Sequence, residues 1–392
     1  MMPNWSQLPE ELLNLISKNL DNCFDVIHAR SVCRSWRSAF PFPSCLLSLR
    51  YYLPTFAKFP SLSKDLCTLK KIQVFLFRVR NPAAVAASIS EYFLGGIDQD
   101  NSNDHMELPS PLQCSVKVKI PQSDPILVNM LDYQILPLGY RYIMIGWDPE
   151  SLATGYAGLA FLPLNKNGGE EFIVLLGYCN HLLVLKSAEM RWTRVKKTSI
   201  ASCKGLVTFR GRFYVTFLNG DIYIFDPYSL EQTLLMPSQP LRSSKYLIPT
   251  GNDELFLVEK FNPFPEADIL DFNRFTCRVS KLDEEAGIWV EVTDLGDRVL
   301  FIGHFGNICC SAKELPNGCG VSGNSILFTN EPGNVTFAYK YGVHTGRAED
   351  ELNIWRFSRE IRVMIVNTFP VVTLRLERQA ENLCLDNLCL NT

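Results

Sequence analysis

Apolar residues recur at intervals of three or four along the first part of the chain. One such stripe consists of Leu12, Leu13, Ile16 and Leu20. This spacing is typical of one face of an α-helix. Residues 8–11, Leu-Pro-Glu-Glu, indicate where the helix begins, because proline suits a first helical turn and glutamates are favoured at the positive end of the helix dipole.

Two further short helices are predicted before residue 41. Asp25 can begin a second helix, and Val32, Trp36 and Phe40 recur four apart as a third apolar stripe. Three short helices in about forty residues rarely bury enough apolar surface to be stable alone. We therefore expect this helical unit to bind a partner.

The pattern changes after Pro41 to a segment rich in proline and aromatic residues, which excludes long helices. We interpret residues 43–71 as a linker that packs on its neighbours. Residues 83–93 have the spacing of a single helix, and the polar residues 98–111 are expected to form a surface loop.

Short β-type runs separated by turns follow the linker. They occupy residues 72–79, 141–147, 172–176, 182–185, 206–209, 212–217 and 221–225. Arg210-Gly211 and Asn219-Gly220 separate three of these runs, and Asn-Gly between aromatic-rich runs is a strong hairpin signal. The sequence therefore predicts a domain made of antiparallel hairpins.

A weak repeat connects tryptophan-containing strands at residues 191–195 and 287–292. Four-stranded units of about forty residues fit β-propeller blades, and this period predicts about six blades between residue 72 and about residue 340. A β-sandwich is the alternative. The expected fold is multi-domain, with a small all-α unit at 1–42, the linker at 43–71, an all-β propeller at 72–378 and a tail at 379–392.

The composition of the chain argues against some classes of binding partner. Charged residues make up 20% and apolar residues 47% of the chain, as in a globular protein. A net charge of −3 gives no indication of the basic surface that nucleic-acid-binding proteins have. The start of the chain lacks a secretory signal pattern, and the longest apolar stretch is too short to span a bilayer. We expect a cytoplasmic or nuclear protein that binds neither nucleic acid nor membrane.

The motifs that usually mark catalysis or metal binding are not found in the sequence. The 13 cysteines are odd in number and irregularly spaced, which favours reduced thiols and gives no zinc spacing. There is no Gly-x-Ser-x-Gly, phosphate loop or His-Glu-x-x-His motif. The adjacent carboxylates Glu170-Glu171 and Glu284-Glu285 are interpreted as solvated turn residues. We predict no catalytic residue, no metal site and no cofactor.

Some residues of the β region are candidates either for packing or for binding. Trp192 and Trp289 are expected to pack in blade cores. The basic residues Arg191, Arg194 and Lys196-Lys197 are expected to lie on a solvent-exposed edge. Ligands of propellers usually bind at loops, so the candidate segments for a target are 98–111, 163–171, 237–246 and 262–276. Residues 261–265, Phe-Asn-Pro-Phe-Pro, are equally suited to contacting a partner and to connecting blades.

The helical residues resemble an F-box. The features that carry the resemblance are Leu8-Pro9, the stripe that follows it, and residues 30–37, Arg-Ser-Val-Cys-Arg-Ser-Trp-Arg. The F-box is the adaptor-binding module of Skp–cullin–F-box ubiquitin ligases. The resemblance implies that the contacts or direct supports of the adaptor interface are Leu8, Pro9, Leu12, Ile16, Val32 and Trp36, whereas Leu13 and Leu20 are expected in the core of the helical unit.

The β region is similar to the KIB-type domain of plant F-box proteins, which is a β-propeller. The similar runs are residues 255–259, 279–283, 289–292, 295–301 and 323–330. After about residue 331 the chain departs from that family's pattern, so the closing blade is expected to be altered or incomplete.

Together the two resemblances imply a non-catalytic substrate receptor. The F-box would bind a Skp-type adaptor and, through it, cullin, and the propeller would bind a target protein for ubiquitination and degradation. Two alternatives stay open from the sequence: a ligand-binding or hydrolytic propeller whose helices are only a cap, and a direct inhibitor of a target kinase.

Overall fold

The computed structural model describes most of the chain in segments. These are residues 5–20, 23–40, 50–54, 66–80, 90–99, 115–118, 126–129, 134–145, 156–164, 171–178, 180–196, 199, 201–237, 243–250, 254–261, 275–303, 306–316, 319–328, 339–349, 355–356, 362–368 and 371–377. Every structural statement below concerns these residues.

Three helices form the N-terminal unit, after a 3-10 turn at Trp5–Gln7. They are α1 (Glu10–Lys18), α2 (Cys23–Val32) and α3 (Arg34–Ala39). Asp25 lies in the first turn of α2 rather than before it. The three predicted helices are therefore present, with short connections between them. No helix among the described residues is long and apolar enough to cross a membrane.

The rest of the described chain is almost entirely β-structure. Its strands are β1 (Arg50–Pro54), β2 (Leu66–Arg80), β3 (Ser90–Gln99), β4 (Ser115–Val118), β5 (Ile126–Asn129), β6 (Gln134–Ile145), β7 (Tyr156–Pro163), β8 (Phe172–Tyr178), β9 (His181–Lys186), β10 (Arg191–Val195), β11 (Cys203–Phe209), β12 (Arg212–Phe217), β13 (Ile222–Phe225), β14 (Gln232–Met236), β15 (Ser243–Pro249), β16 (Leu255–Phe261), β17 (Thr276–Asp283), β18 (Ile288–Glu291), β19 (Arg298–Ile302), β20 (Ile308–Ser311), β21 (Ser325–Phe328), β22 (Tyr339–Gly342), β23 (Arg347–Glu349), β24 (Trp355–Arg356), β25 (Arg362–Thr368) and β26 (Val371–Glu377). A 3-10 turn at Ala312–Glu314 follows β20.

These strands form five large sheets and one separate hairpin, β4–β5. The second, third and fourth sheets are antiparallel meanders of four consecutive strands: β7 to β10, β11 to β14 and β15 to β18. The fifth has the order β20-β19-β21-β22-β23, with β19 and β21 parallel. In the first sheet β2 pairs with β6 along one edge and with both β1 and β3 along the other.

The five sheets are the blades of a closed ring. Their inner strands contact one another in the sequence β6, β7, β11, β15, β20 and back to β6. Five apolar clusters fill the five boundaries between neighbouring blades. At the closing boundary, Val74 and Leu76 of the first blade pack with Phe301 and Leu327 of the fifth. The predicted β-propeller is confirmed.

The described strands form five blades, where the period of about forty residues predicts about six. The difference arises in the first blade. There β2 has 15 residues and β6 has 12, about twice the length of a typical strand. Residues 72–145 therefore contribute to one blade and the β4–β5 hairpin rather than to two full blades.

The outer hairpins of four blades share one turn. Each has a left-handed residue directly before its outermost strand or one residue earlier: Met190, Leu230, Gly287 and Gly346, with φ between 46° and 65°. The amides of Met190, Leu230 and Gly346 each donate to the carbonyl four residues earlier, at 2.9 Å. This repeated turn is the structural counterpart of the weak sequence repeat.

Two segments differ from the sequence prediction. β1 and the first part of β2 lie within residues 43–71, so the predicted linker contributes strands to the first blade; Leu53 and Leu69 are fully buried there. The predicted helix at residues 83–93 is wrong where it is described, because residues 90–93 pair with β2 as part of β3. Backbone pairing with β2 overrides the local helical spacing of these residues.

The altered C-terminal part adds strands to the first blade. β22 and β23 complete the fifth sheet, whereas β24 and β25 each pair in parallel with β3, and β26 pairs with β25. The ring closes between β20 and β6 without β24 to β26. The predicted tail at 379–392 lies outside the described residues.

Candidate functional site

The three helices pack around a small apolar core. Leu13, Val26, Ala29, Trp36 and Phe40 are buried in it. The Trp36 and Phe40 rings stack with their centroids 5.3 Å apart. Leu20 is partly buried against the same core. The expected core positions of Leu13 and Leu20 are therefore confirmed.

Hydrogen bonds hold in place the residues that precede α1 and those at the end of α3. The Pro9 carbonyl accepts bonds from the amides of Leu12 and Leu13, each at 3.1 Å. The Trp36 indole donates to the Trp5 carbonyl at 2.8 Å. The Arg30 guanidinium donates to the Arg37 carbonyl at 3.0 Å and to the Phe40 carbonyl. Because these bonds join residues from both ends of the unit, its outer surface is held in place.

A second apolar stripe of α1 faces away from this core. Leu12 and Leu15 lie three residues apart and share one side of the helix, whereas Leu8, which precedes α1, is partly buried against the core. Leu12 is 46% exposed and Leu15 59% exposed. Large apolar side chains are also exposed at Trp5 and at Val32, the last residue of α2. We call Trp5, Leu12, Leu15 and Val32 the exposed apolar set.

Two carboxylates of the fourth blade join it to neighbouring blades. Glu284 of the fourth blade pairs with Arg210 of the third at 2.5 Å and accepts a hydrogen bond from the Tyr214 hydroxyl at 3.1 Å. Burial and the Glu284 carboxylate raise the pKa of Tyr214. Glu254 of the same blade pairs with Arg298 of the fifth. Glu284 therefore has a structural role beyond the solvated turn that its sequence suggests.

One carboxylate of the fourth blade is fully buried. Glu259 is 1% exposed, and its Oε2 lies 2.6 Å from Nη2 of Arg278. The Lys245 ammonium lies 3.9 Å from Glu259 Oε1 and donates to the Gly220 carbonyl of the third blade at 2.7 Å. Burial lowers the pKa of Lys245, against the raising effect of Glu259. This arrangement satisfies buried charges, as structural ion pairs do.

Within the described residues no group of three or more metal-binding side chains comes together. The two tryptophans predicted for blade cores both lie at blade boundaries. Trp192 packs with the cluster between the first and second blades, and Trp289 with the cluster between the third and fourth. Both side chains are partly buried and pack between blades rather than within the core of one blade. Most of the four candidate target-binding segments, Lys197, and the segment after Phe261 lie outside the described residues.

Comparison with known families supports both modules. Residues 5–45 match the F-box domain, and residues 78–345, more than half of the chain, match the KIB1-4 beta-propeller. The chain is an F-box protein with a KIB1-4 β-propeller. The helices and exposed set described above therefore belong to an F-box, and the five-bladed ring belongs to the KIB1-4 propeller.

Curated relatives match this chain over nearly their whole length. The chain is 86% identical over 386 residues to the F-box/kelch-repeat protein At1g64840 of Arabidopsis thaliana, covering 98% of this chain and all of the relative. It is 59% identical to the F-box/kelch-repeat protein At2g24250 of the same plant, covering 96% of this chain and 97% of the relative.

The six residues that sequence resemblance assigns to the F-box interface differ in exposure. Pro9, Leu12 and Val32 are exposed, and Leu8 and Ile16 are partly buried against the F-box core. Trp36 is buried, so it can only support the surface from beneath. Their assignment to an interface remains a prediction.

Sequence reasoning missed two exposed residues of the F-box. Leu15 continues the spacing of Leu8 and Leu12, a second stripe that was visible beside the core stripe. Trp5 precedes α1 and has no periodic signal; its position follows only from the bond between its carbonyl and Trp36.

Proposed function

We propose that this protein is the substrate-recognition subunit of a Skp–cullin–F-box ubiquitin ligase. The F-box binds a Skp-type adaptor and, through it, cullin, and the propeller binds a target protein for ubiquitination and degradation. The observation that supports the first part is the exposed apolar set on a helical unit whose own core is already filled. Exposed apolar side chains on so small a unit indicate a partner surface.

The exposed set is large enough to contribute strongly to adaptor binding. Complete burial of a leucine or valine side chain contributes about 1.5–3 kcal/mol relative to exposure. Leu12, Leu15 and Val32 are each about half exposed, so burying the rest of all three contributes about 2–5 kcal/mol before the costs of association.

The proposed role requires no bond chemistry from this chain. A receptor that holds its target near the ubiquitin-loaded enzyme acts by raising the effective concentration of target lysines. We propose cytoplasmic or nuclear localisation for this role, with neither nucleic acid nor membrane as a partner. The ion pairs of Glu254, Glu259 and Glu284 support the non-catalytic role, because their carboxylates are engaged with cations.

The decisive experiment measures adaptor binding by the full chain. We expect the double variant Leu12→Glu, Leu15→Glu to bind a purified plant Skp-type adaptor at least about a hundredfold more weakly, because two carboxylates would be buried in an apolar contact. The double variant Leu8→Ala, Pro9→Ala is expected to weaken binding less, since Leu8 is already partly buried. Isothermal titration calorimetry gives the dissociation constants.

Leu218→Glu is the matched control. Leu218 is 66% exposed but lies in the β12–β13 turn of the propeller. This variant should bind the adaptor as the unmodified chain does. Unchanged binding by the Leu12→Glu, Leu15→Glu variant, with normal thermal unfolding, would show that the F-box of this chain does not use α1 as proposed.

A further inference from the structure

The outermost strand of the fourth blade, β18, exposes apolar residues on a sheet edge. Ile288 is 54% exposed and Val290 48% exposed. Among the described strands β18 has one neighbour, β17. Native proteins usually protect an edge strand with charges, proline or a covering element, because its free amides and carbonyls can pair with another chain.

The second blade shows how the same position is protected elsewhere in this fold. Trp192 of β10 and Trp289 of β18 both occupy the second position of an outermost strand, and each is paired with a leucine on the neighbouring strand. With the tryptophans aligned, Ile288 corresponds to Arg191 and Val290 to Thr193. The edge of β10 is therefore polar and charged where that of β18 is β-branched and apolar.

The two exposed side chains of β18 lie on one face. Side chains alternate along a strand, so Ile288 and Val290 point away from the face on which Trp289 packs between the third and fourth blades. Trp289 holds the strand from behind by this packing. An edge that is already held in place loses little conformational entropy when a second strand adds to it.

Acidic residues predominate around this edge, and Lys281, which lies opposite Val290 on β17, is paired with Glu254 at 3.0 Å. Residues 283–297 contain six aspartates and glutamates and no lysine, arginine or histidine. Glu284 pairs with Arg210, and Asp297 with Lys313 at 3.3 Å. Glu285, in the turn before β18, and Glu291, at its end, are exposed and form no ion pair within the described chain.

We propose that β18 is the docking edge for an extended segment of the target protein, which adds to the fourth blade as a further strand. The segment has β-branched or other apolar residues at alternate positions and lysine or arginine at its ends. Backbone hydrogen bonds supply affinity in strand addition, and alternate side chains supply specificity. That the segment belongs to a target protein rests on the proposed ligase function, whereas strand addition to β18 does not depend on it.

The charges favour this occupant over a second copy of the chain. Antiparallel pairing of two β18 edges would place Glu291 of each copy near the acidic turn of the other. Like charges at such close range oppose association, whereas a segment with basic ends gains from both.

Fluorescence anisotropy with the full chain tests the proposal. The probe is a labelled peptide of about eight residues in which valine alternates with threonine between lysine pairs. A second probe replaces the lysines with glutamates. We expect saturable binding of the lysine peptide, weakened by added salt, and binding of the glutamate peptide that is at least about tenfold weaker. No saturable binding, or equal binding of the two peptides, would overturn the proposal.

Two N-methylated lysine peptides test for backbone pairing. One is methylated at odd positions and the other at even positions. In strand addition alternate amides of the added strand face the sheet, so methylation of only one set should abolish binding. Equal effects of the two sets would show that the peptide does not dock as a strand.

The matched variants locate the site. The double variant Ile288→Arg, Val290→Thr copies the edge of β10 into β18 and should weaken the lysine peptide about tenfold or more. Leu234→Arg is the control, because Leu234 is 48% exposed on β14, the outermost strand of the third blade. Equal weakening by the control would show that the peptide binds elsewhere. If the unmodified chain forms a dimer that the double variant abolishes, a second copy of the chain is the occupant of this edge.

Adaptor binding by the same variants separates the two proposals. The β18 variant should bind the Skp-type adaptor normally while it loses the peptide. Loss of adaptor binding only in the Leu12→Glu, Leu15→Glu variant, with peptide binding retained, would confirm that the two surfaces act independently. If the unmodified protein binds the peptide but not the adaptor, the proposed ligase function is wrong, whereas the proposed strand addition at β18 is still supported.

Discussion

Trp192 and Trp289 occupy equivalent positions but differ in the hydrogen bonding of one atom. The Trp192 indole donates to the Pro54 carbonyl at 2.7 Å and so joins the second blade to β1 of the first. The Trp289 indole nitrogen is buried and has no hydrogen-bond partner in the described structure. Leaving a buried donor unpaired costs about 1–3 kcal/mol.

We expect the two tryptophan-to-phenylalanine variants to differ in stability. Both lose a similar apolar contact, but Trp192→Phe also removes the indole donor of the Pro54 carbonyl, which keeps only the weak bond from the Cys67 thiol at 3.8 Å, whereas Trp289→Phe removes an unpaired donor. Trp192→Phe should therefore lower the free energy of unfolding by about 1–3 kcal/mol more than Trp289→Phe. Urea denaturation of each variant measures this difference, and equal losses would contradict the hydrogen-bond argument.

A buried thiol makes stability depend on pH in the alkaline range. Burial raises the pKa of Cys67, which is 1% exposed, from 9.0 to about 11. A raised folded-state pKa gives stability that is present below pH 9 and is lost as the pH rises through about 11. Replacement of Cys67 by alanine should reduce this alkaline loss by about 2–3 kcal/mol. Denaturation at pH 8 and pH 11 measures it, and an unchanged loss would contradict the prediction.

At the scale of elements, the left-handed turns of the outer hairpins are a source of strain. Met190 and Leu230 have φ of 46° and 61°, a region that costs a non-glycine residue about 1–2 kcal/mol. The corresponding residues of the fourth and fifth blades are glycines. Met190→Gly should therefore raise the free energy of unfolding by about 0.5–1 kcal/mol, because Met190 is exposed and glycine relieves the strain.

Leu230→Gly is the informative comparison. Leu230 has the same backbone strain, but its side chain packs against the cluster between the second and third blades. Loss of this contact should cancel or outweigh the relief, so this variant should be no more stable than the unmodified chain. If Leu230→Gly stabilises as much as Met190→Gly, the packing of Leu230 contributes nothing measurable.

Local elements were predictable from the sequence where the signal was itself local. The Arg210-Gly211 hairpin is present, with both residues at positive φ, because a tight turn depends on its own two residues. Residues 90–93 were mispredicted because their pairing with β2 is a tertiary interaction that spacing within a short segment does not reveal. The strands within the predicted linker were missed for the same reason.

The candidate site was predictable only in part. The stripes of α1 follow from spacing, so the core and outer residues of that helix could be separated in principle. The F-box resemblance assigns Trp36 as a contact or a direct support of the interface; its indole bond to Trp5 and its stack on Phe40 bury it, which leaves it the supporting role. The exposed edge of β18 could not be predicted, since exposure of Ile288 depends on which strand ends the sheet.

At the scale of the whole molecule, the stability of the propeller depends on the altered C-terminal part only if that part is needed to close the ring. The boundary between the fifth and first blades is filled by residues between 74 and 327, and the inner strands β20 and β6 meet there. Sequence reasoning could not see this closure, because β20 and β6 are separated by more than 160 residues. β24 to β26 extend the outer part of the first blade through β3, and β26 also contacts β4 of the separate hairpin.

Truncation after residue 349 tests this view of the ring. The shortened chain keeps every strand of the second to fifth blades and all five boundary clusters. We expect it to unfold in one cooperative thermal transition and to co-purify with the Skp-type adaptor. Its free energy of unfolding should fall only modestly, because the lost strands contact the ring through β3.

Truncation after residue 316 is the matched comparison. It removes β21, which lies parallel beside β19, and with it Ile326, Leu327 and Phe328 from two boundary clusters. Several fully buried side chains are lost, and loss of the largest of them alone costs about 3–5 kcal/mol. This chain should lose its cooperative transition. If instead the chain ending at 349 also fails to unfold cooperatively, β24 to β26 are part of the closure, and the first blade depends on strands from both ends of the chain.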